Sequence, residues 1–103
     1  MESKGMKVLV IDDELQMRKL LEMALTSYGY KATLASTGHE GQMLAVTMHP
    51  DLVIVDLGLP DMDGKDVVSR LREWSSVPII VLTAREQEKE KIDALDRGAD
   101  DYI

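Results

Sequence analysis

Short unbroken apolar runs alternate along this chain with longer stretches in which apolar residues return every three or four positions. Residues 6–11 form the first run and read as a buried strand. Across 14–28, Met17, Leu20, Leu21, Ala24, Leu25 and Tyr28 share a helical stripe, and Gly29 ends it. Residues 31–36 read as a short strand. Thr37 followed by Glu40 has the form of a capping box, after which Gly41, Leu44, Ala45 and Met48 lie on one helix face until Pro50.

Residues 51–56 form a third strand whose Leu-Val-Ile-Val core has no polar alternation, the pattern of a strand covered on both faces in a parallel sheet. Asp63 is placed to cap a helix carrying Val67, Val68 and Leu71. Residues 77–82 read as a fourth strand with Pro78 near its start, where a missing donor is tolerated. A polar helix follows over 86–97, with Ile92 and Leu95 inward and Lys89–Asp93 and Asp93–Arg97 as surface pairs. Gly98 ends it, and 100–103 begin a fifth strand.

Strand–helix alternation of this kind specifies an α/β fold, and right-handed crossovers make its sheet parallel. In the 2-1-3-4-5 strand order, strands 1 and 3 are neighbours and the winding reverses at their carboxyl ends. Asp12 and Asp13 leave the end of strand 1, and Asp56 leaves the end of strand 3. That order therefore gathers three carboxylates at the position where such folds bind ligands.

Composition narrows what the cluster serves. The chain has 103 residues, sufficient for one domain, and no cysteine, which excludes disulfides and thiolate metal sites. No apolar run approaches the ~20 residues of a membrane span, and the amino-terminal "MESKGMK" lacks the apolar core of a secretory signal. The expected setting is the cytoplasm. The net charge of −7, from 12 basic and 19 acidic residues, disfavours direct nucleic-acid binding and suits cations or basic partners.

Clustered carboxylates repel, so either one takes up a proton or a cation sits between them. Mg²⁺ suits such a site, because it takes hard oxygen ligands and keeps several waters and phosphate oxygens. A carboxylate beside the metal can act as a nucleophile toward phosphorus, with the metal neutralising charge on the transferred group. Thr83, in "VLTAR", ends the fourth strand and brings a hydroxyl to the same sheet edge. Taken singly, Asp12 and Asp13 read as helix caps and Thr83 as a turn cap. Their joint occurrence at three strand ends favours a site.

The segments "IDDE", "DLGLPDMDG", "PIIVLTA" and "GADDY", in this order and spacing, resemble the receiver domain of bacterial two-component response regulators over essentially the whole chain. The wording of "DLGLPD" and "LREWSSVPIIVLTAR" is similar to the winged-helix subfamily, and within it to regulators of potassium-uptake genes. The resemblance implies a flavodoxin-like (βα)5 fold and a signalling receiver in place of an enzyme. It implies that Asp56 accepts phosphate from a phosphohistidine of a sensor histidine kinase. Mg²⁺ would be held by Asp13, Asp56 and the backbone carbonyl of Gly58, with Asp12 reaching it directly or through water. Thr83 would be the switch hydroxyl and Tyr102 the aromatic residue that turns inward with it.

The family pattern continues beyond "DDYI" to a lysine, a proline and a fifth helix, whereas this sequence stops at Ile103. Residues 1–103 therefore read as a receiver cut short before that lysine and helix, without the DNA-binding output domain of the subfamily. Uncovered apolar surface predicts self-association different from the usual active dimer, with Lys91, Asp100 and Asp101 deprived of fifth-helix partners. Lys65 is expected beyond the pocket.

Other readings fit less well. "DMDG" resembles the start of a calcium loop, but Leu59 and Arg70 stand where oxygen ligands are needed. His39 and His49 lack companion ligands and read as surface residues. Trp74 is expected against the sheet edge and the seven methionines in the core. An aspartate-nucleophile phosphatase wants a second Asp two residues after the nucleophile, where Gly58 stands. A pseudo-receiver, acting only as an interaction module, remains the alternative.

Overall fold

The computed structural model describes residues 5–82 and 88–103. Nine elements alternate in chain order: β1 (Lys7–Ile11), α1 (Leu15–Ser27), β2 (Lys31–Ala35), α2 (Gly38–Met48), β3 (Leu52–Asp56), α3 (Gly64–Arg72), β4 (Ile79–Leu82), α4 (Glu88–Asp96) and β5 (Asp101–Tyr102). The strands form one parallel sheet in the order β2-β1-β3-β4-β5. This is the doubly wound, flavodoxin-like arrangement that the strand–helix alternation predicts.

The two central strands carry the core. Side chains alternate across a strand, so Leu9, Ile11, Val53, Val55, Ile79 and Val81 face one side of the sheet. There they meet Ala45 of α2, Val67, Val68 and Leu71 of α3, and Ala94 of α4, all essentially inaccessible to solvent. Val8, Val10 and Ile54 face the other side, packed by half-buried Leu21 and Leu25 of α1 with Tyr30, Leu34, Leu52, Ile80 and Leu82. β1 and β3 are thus apolar on both faces.

Local signals fix the helix ends. Thr37 Oγ1 accepts from Glu40 N–H at 3.0 Å, and the Glu40 carboxylate accepts from Ser36 N–H at 2.8 Å, a capping box shifted by one donor. Asp63 accepts from Lys65 N–H at 2.9 Å and opens α3. α2 ends at His49, whose left-handed φ of 48° turns the chain into Pro50.

Several expectations are corrected. No residue of α1 is fully buried: Met17, Leu21 and Leu25 are half-buried, but Leu20 and Tyr28 are 61% and 75% exposed. A stripe wide enough to be covered twice meets only one sheet face. Ile92 points outward, Trp74 is half exposed beyond the end of α3, and Met23 and Met43 lie on the surface. β4 starts at Ile79 rather than residue 77, because Val77 gives its N–H to Ser75 Oγ and Pro78 has none. Asp100, expected without fifth-helix partners, takes 2.7 Å bonds from the Arg72 guanidinium and Ile79 N–H. Lys91 lies 5.0 Å above the Tyr102 ring. Of the anticipated α4 pairs, Arg97–Asp93 forms at 3.6 Å, while the Lys89 side chain lies outside the described residues.

The difference between the two sheet faces is measurable. Leu71→Ala should lower the unfolding free energy by about 2–5 kcal/mol, the cost of emptying a closed site. Leu20→Ala, at an exposed position, should change it by no more than about 0.5 kcal/mol. Urea denaturation of the two variants checks both values.

Candidate metal and phosphoryl site

The site forms because β1 and β3 are adjacent and in register, Ile11 opposite Val55. The chain leaves β1 through Asp12 and Asp13, and β3 ends on Asp56. Carboxylate oxygens of the three residues lie within 4.8 Å of one another. They differ in exposure, Asp12 being buried, Asp56 half-buried and Asp13 exposed.

Asp12 is also held locally. Its N–H donates to Ala35 O at 3.0 Å, its Oδ1 accepts from Glu14 N–H at 2.9 Å, and its carbonyl accepts from the Arg18 guanidinium at 2.8 Å. The helix cap expected of a single aspartate does not form: Glu14 stands at the N-cap of α1 with no side-chain bond, and Asp12 instead takes the Glu14 N–H in an Asx-type turn while its carboxylate joins the cluster. Asp56 Oδ1 accepts from Gly58 N–H at 3.3 Å, folding the loop back over the acid. Gly64 closes the loop from the other side, its N–H donating to Leu57 O at 3.0 Å. Any Cβ at Gly64 would run into the Asp56 carbonyl oxygen and the Leu57 Cα, so only glycine permits α3 to start so near the end of β3.

Burial raises the pKa of Asp56 above the usual carboxylate value, and repulsion from Asp12 and Asp13 adds to it. Asp12 is raised in the same way, first by burial and then by Asp13 and Glu14. Among the described residues none of the three carboxylates forms a salt bridge. Lys65, as expected, is turned away, bound to Glu90 at 2.9 Å and Asp93 at 3.1 Å, and these acids hold it charged. Asp12 and Asp56 line one end of a groove of about 430 Å³ that continues past Glu14, Met17, Leu21, Leu82 and Ile103. An all-oxygen, anionic, partly desolvated donor set of this kind fits a hard divalent cation and offers a carboxylate nucleophile beside it.

The model of the response regulator receiver domain matches residues 8–103. The chain belongs to this family. It is 50% identical over 96 residues to the KDP operon transcriptional regulatory protein KdpE of Escherichia coli, covering 93% of this chain and 43% of that protein. Transcriptional regulatory protein KdpE of Mycobacterium tuberculosis H37Rv is 52% identical over 96 residues, covering 93% and 42%. The BeF3-activated receiver domain of Klebsiella pneumoniae RstA superposes with a TM-score of 0.91 at 28% identity, covering 94% of this chain and 83% of that one. The receiver thus spans less than half the length of its curated relatives.

Of the residues read from sequence, Asp12, Asp13 and Asp56 meet, and Gly58 lies on the loop bonded to Asp56. Tyr102 is half-buried, packed on the main core cluster in β5, three strands from β1. Thr83 lies outside the described residues; Leu82, just before it, pairs with Asp56. Sequence reading missed Asp61, which bonds to the backbone of α2.

The raised carboxyl pKa values have a definite sign. The folded state binds protons more readily than the unfolded chain, so ionising Asp12 and Asp56 costs stability as pH rises through their folded values. Asp56→Asn should therefore raise the melting temperature at pH 7, by up to ~4 °C for a domain of this size. The gain should vanish as pH falls below the ordinary carboxylate range, where both forms are uncharged. Thermal melts across pH in metal-free buffer test this.

Proposed function

We propose that this receiver is a Mg²⁺-dependent phosphoacceptor that takes a phosphoryl group from a sensor histidine kinase onto Asp56. The observation carrying this reading is the meeting of three carboxylates at the ends of two adjacent central strands. Asp12, Asp13, Asp56 and the Gly58 carbonyl would hold the ion, which when bound supplies charge neutralisation across the phosphoryl oxygens. An Asp56 carboxylate oxygen attacks phosphorus in line with the kinase imidazole. The O–P bond of an acyl phosphate forms, the N–P bond breaks, and the imidazole leaves with a proton from solvent.

Asp12 cannot compete for the phosphoryl group on equal terms. Asp12 is buried with one oxygen committed to Glu14 N–H, while Asp56 stands at the strand end with its loop folded beside it. Thr83 follows Leu82, the partner of Asp56 in the ladder, and is assigned the hydroxyl that receives a phosphoryl oxygen. Tyr102 is assigned the aromatic residue that responds to it. Half identity with KdpE, which in E. coli is the KDP operon regulator, supports an output on potassium-transport genes. DNA binding would belong to a separate domain, in keeping with the acidity of this one.

Incubation with acetyl phosphate and Mg²⁺ should add one phosphoryl group, read by intact mass, and chelation should prevent it. Asp56→Asn should abolish labelling. Asp13→Ala should raise the Mg²⁺ concentration for half-maximal labelling roughly tenfold or more, at least as much as loss of an outer-shell group. Wild-type protein that never labels would leave the pseudo-receiver reading in its place.

A further inference from the structure

The β3–α3 loop, residues 57–63, carries Gly58 and crosses to the start of a different helix. There Asp61 Oδ1 accepts from Gly38 N–H at 2.8 Å and Oδ2 accepts from His39 N–H at 2.9 Å. The first four donors of α2 are thereby satisfied, two by Asp61, one by Thr37 Oγ1 and one by the Thr37 carbonyl. The paired backbone donors hold the Asp61 carboxyl below the usual value, so it is ionised at neutral pH, opposite the positive end of the helix.

The neighbouring residue tightens the same joint. Met62 lies over Gly38, where a Cβ would come 2.6 Å from its Cγ, and its sulfur accepts from the Gln42 amide at 3.2 Å. The apex of the loop has few other fastenings. Gly58, Pro60 and Asp61 are exposed, and among the described residues Gly58 is bonded through its N–H to Asp56 at 3.3 Å, longer than an ordinary bond. The loop ends are fixed by Leu57 O–Gly64 N–H, Leu57 N–H–Leu82 O and the Asp63 cap, so among the described residues Asp61, helped by the weaker Met62 sulfur–Gln42 contact, ties the apex to a neighbouring element.

We infer that Asp61 is a positioning residue for the metal and phosphoryl site: by clamping the loop to the N-terminus of α2 it fixes the Gly58 backbone beside Asp56. This rests on the proposed function, since Gly58 matters to the site only if its carbonyl faces the cation. Asp61 touches neither phosphate nor metal. Its effect is a narrowed range of Gly58 positions, which a ligand with strict octahedral geometry at short distances would reward.

Three variants separate positioning from stability and from charge. Asp61→Ala removes both bonds, Asp61→Asn keeps one acceptor but no charge, and Thr37→Ala uncaps the same helix without touching the loop. Mg²⁺ affinity is read by calorimetry, the Gly58 amide by ¹⁵N NMR, and stability by thermal melts. Asp61→Ala should weaken Mg²⁺ binding about 3–10-fold and shift the Gly58 amide even without metal, with Asp61→Asn in between. Thr37→Ala should lower the melting temperature comparably and leave Mg²⁺ affinity within about twofold of wild type. Unchanged affinity in Asp61→Ala, or equal loss in Asp61→Ala and Thr37→Ala, would overturn the positioning role. Equal loss in Asp61→Asn and Asp61→Ala would assign the effect to charge and overturn it as well. Wild-type protein that binds no Mg²⁺ would instead refute the proposed function.

Discussion

Three carboxylates stay close despite their repulsion because the two strands that carry them are locked in the middle of the sheet. β1 and β3 are bonded on both edges and covered on both faces, with Leu9, Val10, Ile11, Val53 and Val55 inaccessible to solvent. Moving Asp56 away from Asp12 would require a slip of register that turns every one of those side chains to the wrong face. Each buried Val, Leu or Ile contributes about 1.5–3 kcal/mol, so the core outweighs the repulsion at its end. Burial first, and repulsion second, raises the pKa values of Asp12 and Asp56.

The same logic separates anchoring from chemistry elsewhere. Basic side chains in α3 and just after α4 are engaged in holding elements together: Lys65 with Glu90 and Asp93, Arg97 with Asp66 at 2.7 Å, and Arg72 with Asp100 and the Gly98 carbonyl. Exposed pairs of this sort contribute little individually, roughly 0–1 kcal/mol. Their placement matters more than their strength. They join α3 to α4 and to the start of β5, and they leave the acids at the head of β1 and β3 without an ion-pair partner among the described residues.

Where a single neighbour decides the outcome, the amino-acid pattern was sufficient. The unbroken apolar runs of β1 and β3, the caps at Thr37 and Asp63, and the acids at two strand ends are all local statements, and the structure holds each of them. Where the outcome depends on what lies opposite, the pattern was silent. The periodicity of α1 identifies the side that faces the sheet, but the exposure of Leu20 is set by what packs over it. Ile92 fits an inward stripe as well as Leu95 does, yet only Leu95 meets the core. Asp61 shows the limit most clearly. Its partners lie 22 and 23 residues earlier, so its spacing to Asp63 and Gly64 suggested a cation loop while its actual bonds run to another helix.

Unequal covering of the two sheet faces bears on the site as well as on stability. On one side α2, α3 and α4 enclose the strands, and the loop carrying Gly58 is fastened to that side through Asp61, Met62 and Gly64. On the other side, among the described residues, α1 is the one helix over Val8, Val10 and Ile54, and the groove from the acids runs along it past Met17, Leu21 and Leu82. A charge added at Asp56 would meet a closely packed wall toward α2 and, among the described residues, a thinner one toward α1. Packed cores respond to a local push by moving between discrete arrangements, and they do so where contacts are fewest. If Asp56 is phosphorylated as proposed, the response is expected toward α1 and Leu82, with the α2 side, on which Tyr102 also packs, serving as the fixed frame.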